Sequence, residues 1–303
     1  MLKLVILIIY FAVLIGIGLY CRKHATDVNG FVLGGRSVGP WLTAFAYGTS
    51  YFSAVVFVGY AGQFGWKYGI AATWAGIGNA IIGSLLAWVV LGRRTRIMSQ
   101  HLDSATMPQY FGKRFGSNPL KIGASVIIFI FLIPYTASLY NGLSRLFGMA
   151  FNIDYSVCII IMATLTAIYV IAGGYMATAI NDFIQGIIML FGIIAVIAAV
   201  IHSKGGFMSA LQGLANVSDP AVSNTPGIFA SFFGPDPFNL LCVVILTSLG
   251  TWGLPQMVQK FYAIDNEASI QKGTVISTIF ALIVSGGCYF LGGFGLSLIH
   301  ISE

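Results

Sequence analysis

The stretch from Phe45 to Gly62, FAYGTSYFSAVVFVGYAG, decides the fold because it has the length of a membrane helix but not the composition of a simple one. Gly48, Thr49, Ser50 and Ser53 cluster near its middle, and glycine weakens the helical hydrogen-bond ladder. Backbone groups freed in this way are tolerated in lipid only where they line a cavity or are buried in protein. The stretch therefore predicts an interrupted membrane helix.

A second stretch, LTSLGTWGLPQ from Leu246 to Gln256, has the same character, with Gly250, Gly253 and Pro255 around a Thr–Trp pair. Interrupted helices at matching positions of two repeats point to the binding site of a transporter. The two stretches are five predicted helices apart, which fits a five-plus-five repeat. Small residues also allow ordinary helices to pack closely, so the pattern alone leaves both interpretations open.

The composition predicts an all-α polytopic membrane protein. The chain has 303 residues, of which 57% are hydrophobic and 8% are charged, whereas soluble domains contain about 25% charged residues. The net charge of +6 reflects basic loops and does not indicate nucleic-acid binding. The four cysteines lie in apolar runs, in a spacing that suits neither disulfides nor a metal site.

Eight apolar runs have the length of membrane spans. They lie near 3–21, 41–62, 71–92, 122–148, 156–172, 180–201, 238–262 and 273–295. The first run has no cleavage site after it, so we expect it to be retained. Thr106 to Phe115 predicts a short helix along the membrane surface, and the polar stretch 203–236 predicts an external loop.

The basic residues predict that the N-terminus lies outside, because cytoplasmic loops are enriched in lysine and arginine. One set of alternate loops contains most of them: Arg22, Lys23, Arg36, Arg93, Arg94, Arg96, Lys113, Arg114, Lys121, Lys260 and Lys272. The other set contains Lys3, Lys67 and Lys204, and Arg145 lies near the end of a span.

The interrupted second span offers oxygen atoms to a cation. Sodium is a hard ion that prefers oxygen ligands, as Ca²⁺ and Mg²⁺ do. Unwound carbonyls at Thr49 and Phe52, with the Ser53 hydroxyl, supply part of such a shell. Asp182 is either the N-cap of the sixth span or an ion ligand. Tyr135, after Pro134, either packs at a kinked helix or lines a cavity.

Five segments, taken in order, resemble the sodium:solute symporter family, whose members carry sugars, proline, pantothenate, sialic acid and similar solutes with sodium. The segments are GTSYFSAVVFVGYAG (48–62), TMPQYFGKRFG (106–116), YTASLYNGLSRLF (135–147), IAGGYMATAINDFIQG (171–186) and GTWGLPQMVQKFYA (250–263). The resemblance covers essentially residues 1–295.

The resemblance implies the inverted-repeat, five-plus-five, LeuT-like transporter fold with one extra N-terminal helix. It implies a sodium-coupled secondary active transporter in the cell membrane, which imports a small organic solute such as an amino acid, a sugar or a carboxylate. The expected partners are the solute, Na⁺ as coupling ion and membrane lipid, with no cofactor, no metal other than sodium, no nucleic acid and no enzymatic activity. The alternative is the membrane input domain of a symporter-like sensor histidine kinase.

The resemblance also assigns site residues. In this family a conserved sodium site uses carbonyls of the first core helix, which correspond to Thr49 and Phe52, with Ser53 beside them. Asp182 matches an acidic residue linked to a second sodium site or to ion release. Tyr135, Thr251 and Trp252 match positions that line or gate the substrate cavity.

Some positions depart from the family's pattern and bear on the solute. Proline carriers have an aspartate at the position of Tyr51, and they have tryptophan and tyrosine where this chain has Thr247 and Thr251. Sugar carriers have glutamine at the position of Val56. The residues therefore argue against proline and against a sugar site of that kind.

The end of the chain carries a separate expectation. The family has about thirteen helices, and only seven core helices follow the first helix here, so we expect a transporter domain at 1–295 that is incomplete at its C-terminus and does not transport alone. The last eight residues, LSLIHISE (296–303), match codon by codon the translation of a sequencing-library transposon adapter. We expect them to be foreign to the fold.

Overall fold

The computed structural model describes residues 2–53, 55–217, 219, 222–223 and 225–299, and within these ranges the chain forms helices and no extended β-strand. The α-helices are α1 Leu2–Cys21, α2 Val28–Leu33, α3 Pro40–Tyr51, α4 Ala61–Tyr68, α5 Thr73–Gly78, α6 Arg93–His101, α7 Met107–Phe115, α8 Asn118–Phe151, α9 Tyr155–Ser203, α10 Phe207–Ala215, α11 Pro237–Leu249, α12 Pro255–Ala263, α13 Glu267–Ala281 and α14 Gly287–Ile299. Wider π-helical turns occupy Val55–Tyr60, Asn79–Leu86, Trp88–Gly92 and Leu282–Gly286.

Four continuous helical segments of the described chain are long and apolar enough to cross a membrane: Ala61–His101, Asn118–Phe151, Tyr155–Ser203 and Glu267–Ser297. The sequence predicts eight spans, and each coincides with helical segments of the described chain, two of them interrupted. The numbers differ partly because α9 combines two predicted spans. Its 49 residues would extend about 74 Å at 1.5 Å per residue, more than twice the hydrocarbon thickness. Gly174 breaks the helix between them with φ 56° and ψ −150°.

The interruption predicted in the second span is confirmed. Helix α3 ends at Tyr51, and Phe52 and Ser53 are not helical. The Ser53 carbonyl then accepts hydrogen bonds from the amides of Val56 and Phe57, at 3.0 and 3.3 Å, where the π-helical turn begins. The chain thus changes its helical register at the position where the sequence clusters small and hydroxyl residues.

The interruption predicted in the seventh span is confirmed as well. Helix α11 ends at Leu249, and Gly250 caps it by donating to the Leu246 carbonyl. Helix α12 begins only at Pro255, a residue that lacks an amide hydrogen and is favoured in the first turn of a helix. The residues from Thr251 to Leu254 therefore form a non-helical link.

The predicted surface helix is present as α7, with the Thr106 hydroxyl accepting from the Gln109 amide at 3.4 Å. The predicted loop 203–236 contains α10 and a 3-10 turn at Ile228–Ala230, two elements that the sequence analysis did not predict. Helix α10 is amphipathic and buries Ala210 and Leu214, a pattern that the surrounding glycine and serine residues conceal.

The chain divides into two units, and the first comprises Met1–Ser50, Trp88–Gln185 and Leu254–Thr274. Its apolar core includes Leu33, Val38, Tyr175, Val258 and Tyr262. Arg36 joins three segments of this unit, because its guanidinium donates to the hydroxyl and carbonyl of Ser99 and to the carbonyls of Ser104 and Tyr262, at 2.8 to 3.3 Å. Three regions that the charge pattern assigns to one side of the membrane therefore meet in this unit.

The second unit comprises Tyr51–Ala87, Gly186–Gly253 and Val275–Glu303. Its core includes Tyr68, Ala72, Ala75, Val244 and Tyr289. Helix α14 packs against α4 so closely that a Cβ at Gly65 would overlap the backbone of Gly292. The approach brings two membrane helices into backbone contact, as small residues permit in membranes.

The segment 296–303 is only partly described. Leu296 and Ser297 are buried at the end of α14, and the Ser297 carbonyl accepts from the Lys204 ammonium at 2.7 Å. Residues 300–303 lie outside the described residues. The adapter origin of this segment stays a prediction.

Candidate ion and solute sites

Asp182 lies inside α9, eight residues beyond the break at Gly174. The interpretation of Asp182 as an N-cap is wrong, because the helix is already established before it. Its Oδ2 pairs with the Lys260 ammonium at 3.7 Å, and the two side chains are 23% and 8% exposed. A carboxylate held inside a membrane helix next to one cation is the arrangement expected of a functional group, since ionisable residues are costly there.

Thr49 and Asp182, two of the predicted sodium ligands, come together in the first unit. The Thr49 hydroxyl donates to the Phe45 carbonyl at 2.9 Å and lies near enough to the Asp182 carboxylate to bond to it instead. The rings of Phe45 and Phe183, 4.8 Å apart, hold α3 against α9 at this level. A hydroxyl and a carboxylate thus face one another beside the end of the interrupted helix.

Lys260 corrects the charge pattern read from the sequence. The sequence assigned it to a cytoplasmic loop, but it lies within α12 and is 6% exposed. Besides Asp182, its ammonium contacts the face of the Tyr175 ring at 5.0 Å. The sequence analysis did not predict the burial of Lys260, because the acidic partner Asp182 is 78 residues away in the chain.

Several residues close in sequence to Asp182 and Lys260 have buried polar atoms without a hydrogen-bond partner among the described residues. The Asn181 amide, the Gln256 amide and the Tyr175 hydroxyl have no hydrogen-bond partner among the described residues. Asn181 precedes Asp182, and Gln256 lies one helical turn before Lys260. Buried polar groups are normally hydrogen-bonded, so such atoms mark places where water or an ion is expected.

Phe52 and Ser53, the other predicted sodium ligands, belong to the second unit. Phe52 is 1% exposed and stacks on Tyr51 with 4.5 Å between ring centroids. Ser53 is partly buried, and its carbonyl is used by the turn that follows. The roles of these two residues as ligands stay predictions.

Asn79 is the polar centre of the second unit, and the sequence reasoning missed it. Its side-chain oxygen accepts from Thr247 and Ser248 at 3.0 and 3.1 Å and lies 3.2 Å from the Tyr51 hydroxyl. Its amide nitrogen donates to Ser285 at 3.4 Å. Asn79 thereby links Tyr51 at the first interruption to the end of α11 at the second. The available signal was a single asparagine in an apolar run.

Tyr51 is one of the positions at which the sequence is expected to depart from the pattern of proline carriers. Its hydroxyl donates to the Thr247 carbonyl at 2.9 Å or to Asn79, and the ring is 8% exposed. Gly83 leaves room for this hydroxyl, since a Cβ there would overlap it. A neutral phenol thus bridges the two interruptions, at a position where the resemblance implies a carboxylate in proline carriers.

The predicted substrate residues divide between the units. Thr251 donates to the Ser248 carbonyl at 3.0 Å, and the Trp252 indole donates to the Ile82 carbonyl at 3.0 Å. Both bonds hold the start of the non-helical segment that follows α11 within the second unit. Tyr135 lies in α8 of the first unit and is partly exposed. Contact of these three residues with a substrate stays a prediction.

Comparisons with known proteins agree with this architecture. Over residues 31–302 the chain matches the model of the sodium:solute symporter family. It is 29% identical over 295 residues to the osmoregulated proline transporter OpuE of Bacillus subtilis, and 30% identical over 305 residues to a sodium/proline symporter of Staphylococcus aureus. The match covers 96% and 97% of this chain, respectively.

A solved structure of a Na⁺-coupled sialic acid symporter, in a substrate-bound outward-open state, is similar in fold, with a TM-score of 0.73 and 17% identity over all of this chain. This likeness shows the LeuT-like fold. The chain spans 58% and 56% of the two relatives and 62% of the solved chain. With its apolar helices it is a multi-pass membrane protein, and it belongs to the sodium:solute symporter family.

Proposed function

We propose that this protein is a secondary active transporter that couples inward movement of Na⁺ to import of a small organic solute. The observation that carries the proposal is the pair of interrupted helices, α3 and α11–α12, in a chain of the sodium:solute symporter family. Interrupted helices at matching positions expose backbone groups for ions and solute near the membrane centre. The relatives are named as transporters, and this favours transport over the sensor-kinase alternative.

The proposed sodium ligands in the first unit are Thr49 and Asp182. Thr49 is the candidate predicted to bind through its carbonyl, and its hydroxyl also lies beside the Asp182 carboxylate. Carbonyl, hydroxyl and carboxylate oxygens are the ligands that hard cations prefer. Phe52 and Ser53 remain candidate ligands through their carbonyl and hydroxyl oxygens. Sodium is cargo in this function, so no resident cofactor and no covalent chemistry are needed.

The proposed solute contacts in the second unit are Thr251 and Trp252 with the network around Asn79. In the first unit, Tyr135 is proposed separately as a solute contact. The Asn79 network contains amide and hydroxyl groups and no charge. It therefore suits a solute recognised by neutral hydrogen bonds. Two relatives are named for proline, which makes proline the first solute to test, although Tyr51 and Thr247 differ from the residues of proline carriers.

We also propose the cell membrane as the location, with the N-terminus outside. Within the first unit, Arg36 contacts Ser104 and Tyr262, which belong to regions assigned to the cytoplasm. Within the second unit, the Lys204 ammonium binds the end of α14, and both are assigned to the outside. Contacts within each unit thus agree with alternation of the loops across a membrane.

The test is solute uptake by the full-length protein in proteoliposomes, with an inward gradient of Na⁺ or of choline. We expect uptake of one solute among proline, other amino acids, sugars and carboxylates to require the Na⁺ gradient. Asp182→Asn should abolish the sodium dependence, and Glu267→Gln, at an exposed carboxylate paired only with Arg93, should retain it. Uptake that is equal in choline, or no uptake of any class, contradicts the proposal.

A further inference from the structure

We infer that the Lys260 ammonium is a tethered cation that holds the Asp182 carboxylate while no sodium is bound there, so that Lys260 and Na⁺ alternate at Asp182. The inference rests on the proposed sodium coupling and deepens it. It assigns to Lys260 a positioning role, because Lys260 acts on sodium only through Asp182.

The ion pair between Lys260 and Asp182 is longer than a strong hydrogen bond. The distance between Lys260 Nζ and Asp182 Oδ2 is 3.7 Å, whereas a strong charge-assisted hydrogen bond measures about 2.7–2.9 Å. Asp182 is the only acidic side chain that pairs with Lys260 among the described residues. The lysine is nevertheless buried, with 8% of its side chain exposed. The buried ammonium thus has one acidic partner among the described residues, at a distance longer than that of a strong hydrogen bond.

Charge balance prevents the Lys260 ammonium and Na⁺ from occupying the Asp182 carboxylate together. One carboxylate neutralises one cation, so the Lys260–Asp182 pair carries no net charge. A sodium ion added at Asp182 with Lys260 still in place would leave an uncompensated positive charge in a weakly polar interior, where such charges are costly. Binding of Na⁺ therefore requires the ammonium to withdraw from the carboxylate.

The ammonium already has a second partner, which it keeps when it leaves the carboxylate. The face of the Tyr175 ring lies 5.0 Å from Lys260 Nζ, within the range of a cation–π contact. Lysine has a flexible four-carbon stem, so its ammonium can move between the carboxylate and the ring without movement of the backbone. The amide groups of Asn181 and Gln256, in the same unit, are buried and have no hydrogen-bond partner among the described residues.

The exchange has a consequence for the interrupted helix. Asp182 lies on α9 and Lys260 on α12, the second half of the interrupted seventh span. While Lys260 holds Asp182, the two helices are linked by an ion pair within the first unit. Sodium at Asp182 breaks this ion pair, so α12 is no longer linked to α9 through Lys260.

The experiment compares Na⁺ affinity of the purified full-length protein in lipid nanodiscs, measured by binding of radioactive sodium. Lys260→Met removes the internal competitor, and we expect a Kd for Na⁺ lower by about tenfold, because the binding-competent fraction of the site rises. Lys260→Arg keeps the charge and should retain wild-type affinity or weaker. Lys272→Met, the same change at an exposed lysine of α13, should leave the Kd unchanged.

Each outcome decides the matter. A Kd for Lys260→Met that equals or exceeds the wild-type value overturns the role of Lys260 and leaves sodium coupling intact. Absence of sodium binding in every variant, wild type included, overturns the proposed sodium site and this inference with it. Tighter binding in Lys260→Met that persists when Asp182→Asn is added places the ion elsewhere and also overturns it.

A second measurement serves if Lys260→Met does not fold. In the wild-type protein, acetylation of lysine amines is followed by peptide mass spectrometry in NaCl and in choline chloride. We expect sodium to raise the acetylation of Lys260 relative to that of Lys272, since it frees the ammonium from Asp182. An unchanged or lower ratio in sodium contradicts the exchange.

Discussion

At the scale of single residues, Asn79 shows how one polar side chain organises an apolar unit. Its oxygen is the acceptor for Ser248 and one of the acceptors for Thr247, and all three side chains lie within membrane helices. A buried hydroxyl that loses its partner costs about 1–3 kcal/mol, so the network is strong only while it is complete. Asn79 therefore fixes the positions at which α11 ends and α3 is interrupted.

The first prediction concerns this network. Asn79→Leu should lower the free energy of unfolding by about 2 kcal/mol, because Ser248 loses its acceptor within an apolar interior. Adding Ser248→Ala should restore part of that loss, since no unpaired hydroxyl remains. Thermal unfolding of the purified protein measures both effects.

Asn29→Leu is the matched control for Asn79→Leu, because Asn29 is exposed in α2 and should tolerate the change. If Asn79→Leu and Asn29→Leu unfold at the same temperature, the network does not stabilise the protein. If Ser248→Ala adds fully to Asn79→Leu, the two residues do not act through a common bond.

Single residues also mark the limit of prediction from the sequence. Thr49 and Asp182 were found because hydroxyl and acidic residues are conspicuous in apolar runs. The partner of Asp182 was not found, since counting basic residues places any lysine in a loop, and Lys260 lies 78 positions away. Asn79 was overlooked for the same physical reason: its partners Thr247 and Ser248 are separated from it by 168 and 169 positions.

At the scale of helices, glycine decides how closely two elements approach. Helices α4 and α14 lie in backbone contact, and a Cβ on Gly65 would overlap the Gly292 carbonyl. Gly62, on the same helix, has nothing within 4 Å of its would-be Cβ. The two glycines thus share a helix and differ in their surroundings.

The second prediction follows from this difference. Gly65→Val should destabilise the protein by about 3 kcal/mol through overpacking, because backbone cannot move aside as a flexible side chain can. Gly62→Val has the same intrinsic effect on helix formation and should change stability by less than about 1 kcal/mol. The comparison is made by thermal unfolding in detergent, and equal losses would mean that α4 and α14 are not in close contact.

The third prediction concerns the arginine that joins elements of the first unit. Arg36 makes four hydrogen bonds in a forked arrangement that an ammonium cannot reproduce. Burial, and then the neighbouring Arg96, lower the pKa of Arg36 from its usual value, but an arginine remains charged at neutral pH. Arg36→Lys should therefore cost about 2 kcal/mol of stability.

Arg94→Lys is the control for Arg36→Lys, since Arg94 is exposed on α6 and no contact of its side chain is observed in the described residues. Chemical denaturation of both variants gives the comparison. A loss in Arg36→Lys no greater than that in Arg94→Lys would show that the forked bonds add nothing to the fold.

The sequence predicted the positions of helices better than the contacts between them, because the two depend on different interactions. Apolar length and glycine or proline act locally, so both interruptions follow from the sequence, while the number of eight spans stays a prediction. The element that was missed, α10, is a short amphipathic helix whose buried face packs on Phe229 and Phe294. Such a helix is stabilised by tertiary contacts more than by its own propensity, and the sequence alone does not reveal those contacts.

At the scale of the whole molecule, the proposed orientation in the membrane rests on charge. Basic residues concentrate in alternate loops, and this asymmetry predicts that those loops lie in the cytoplasm. Lys67 at the end of α4 belongs to the poorly charged set, whereas Arg114 in α7 belongs to the basic set, and both side chains are exposed. Burial of Lys260 reduces the basic set by one residue, and that set still contains most of the lysines and arginines.

The fourth prediction tests this orientation in intact cells. The four native cysteines are replaced by serine, and single cysteines are introduced as Lys67→Cys or Arg114→Cys. A maleimide that does not cross membranes should label Lys67→Cys in intact cells and Arg114→Cys only after the cells are opened. Both cysteines should react equally in detergent, which controls for local accessibility. Labelling of Arg114→Cys alone in intact cells would place the N-terminus in the cytoplasm, and the charge asymmetry would then not govern insertion of this chain.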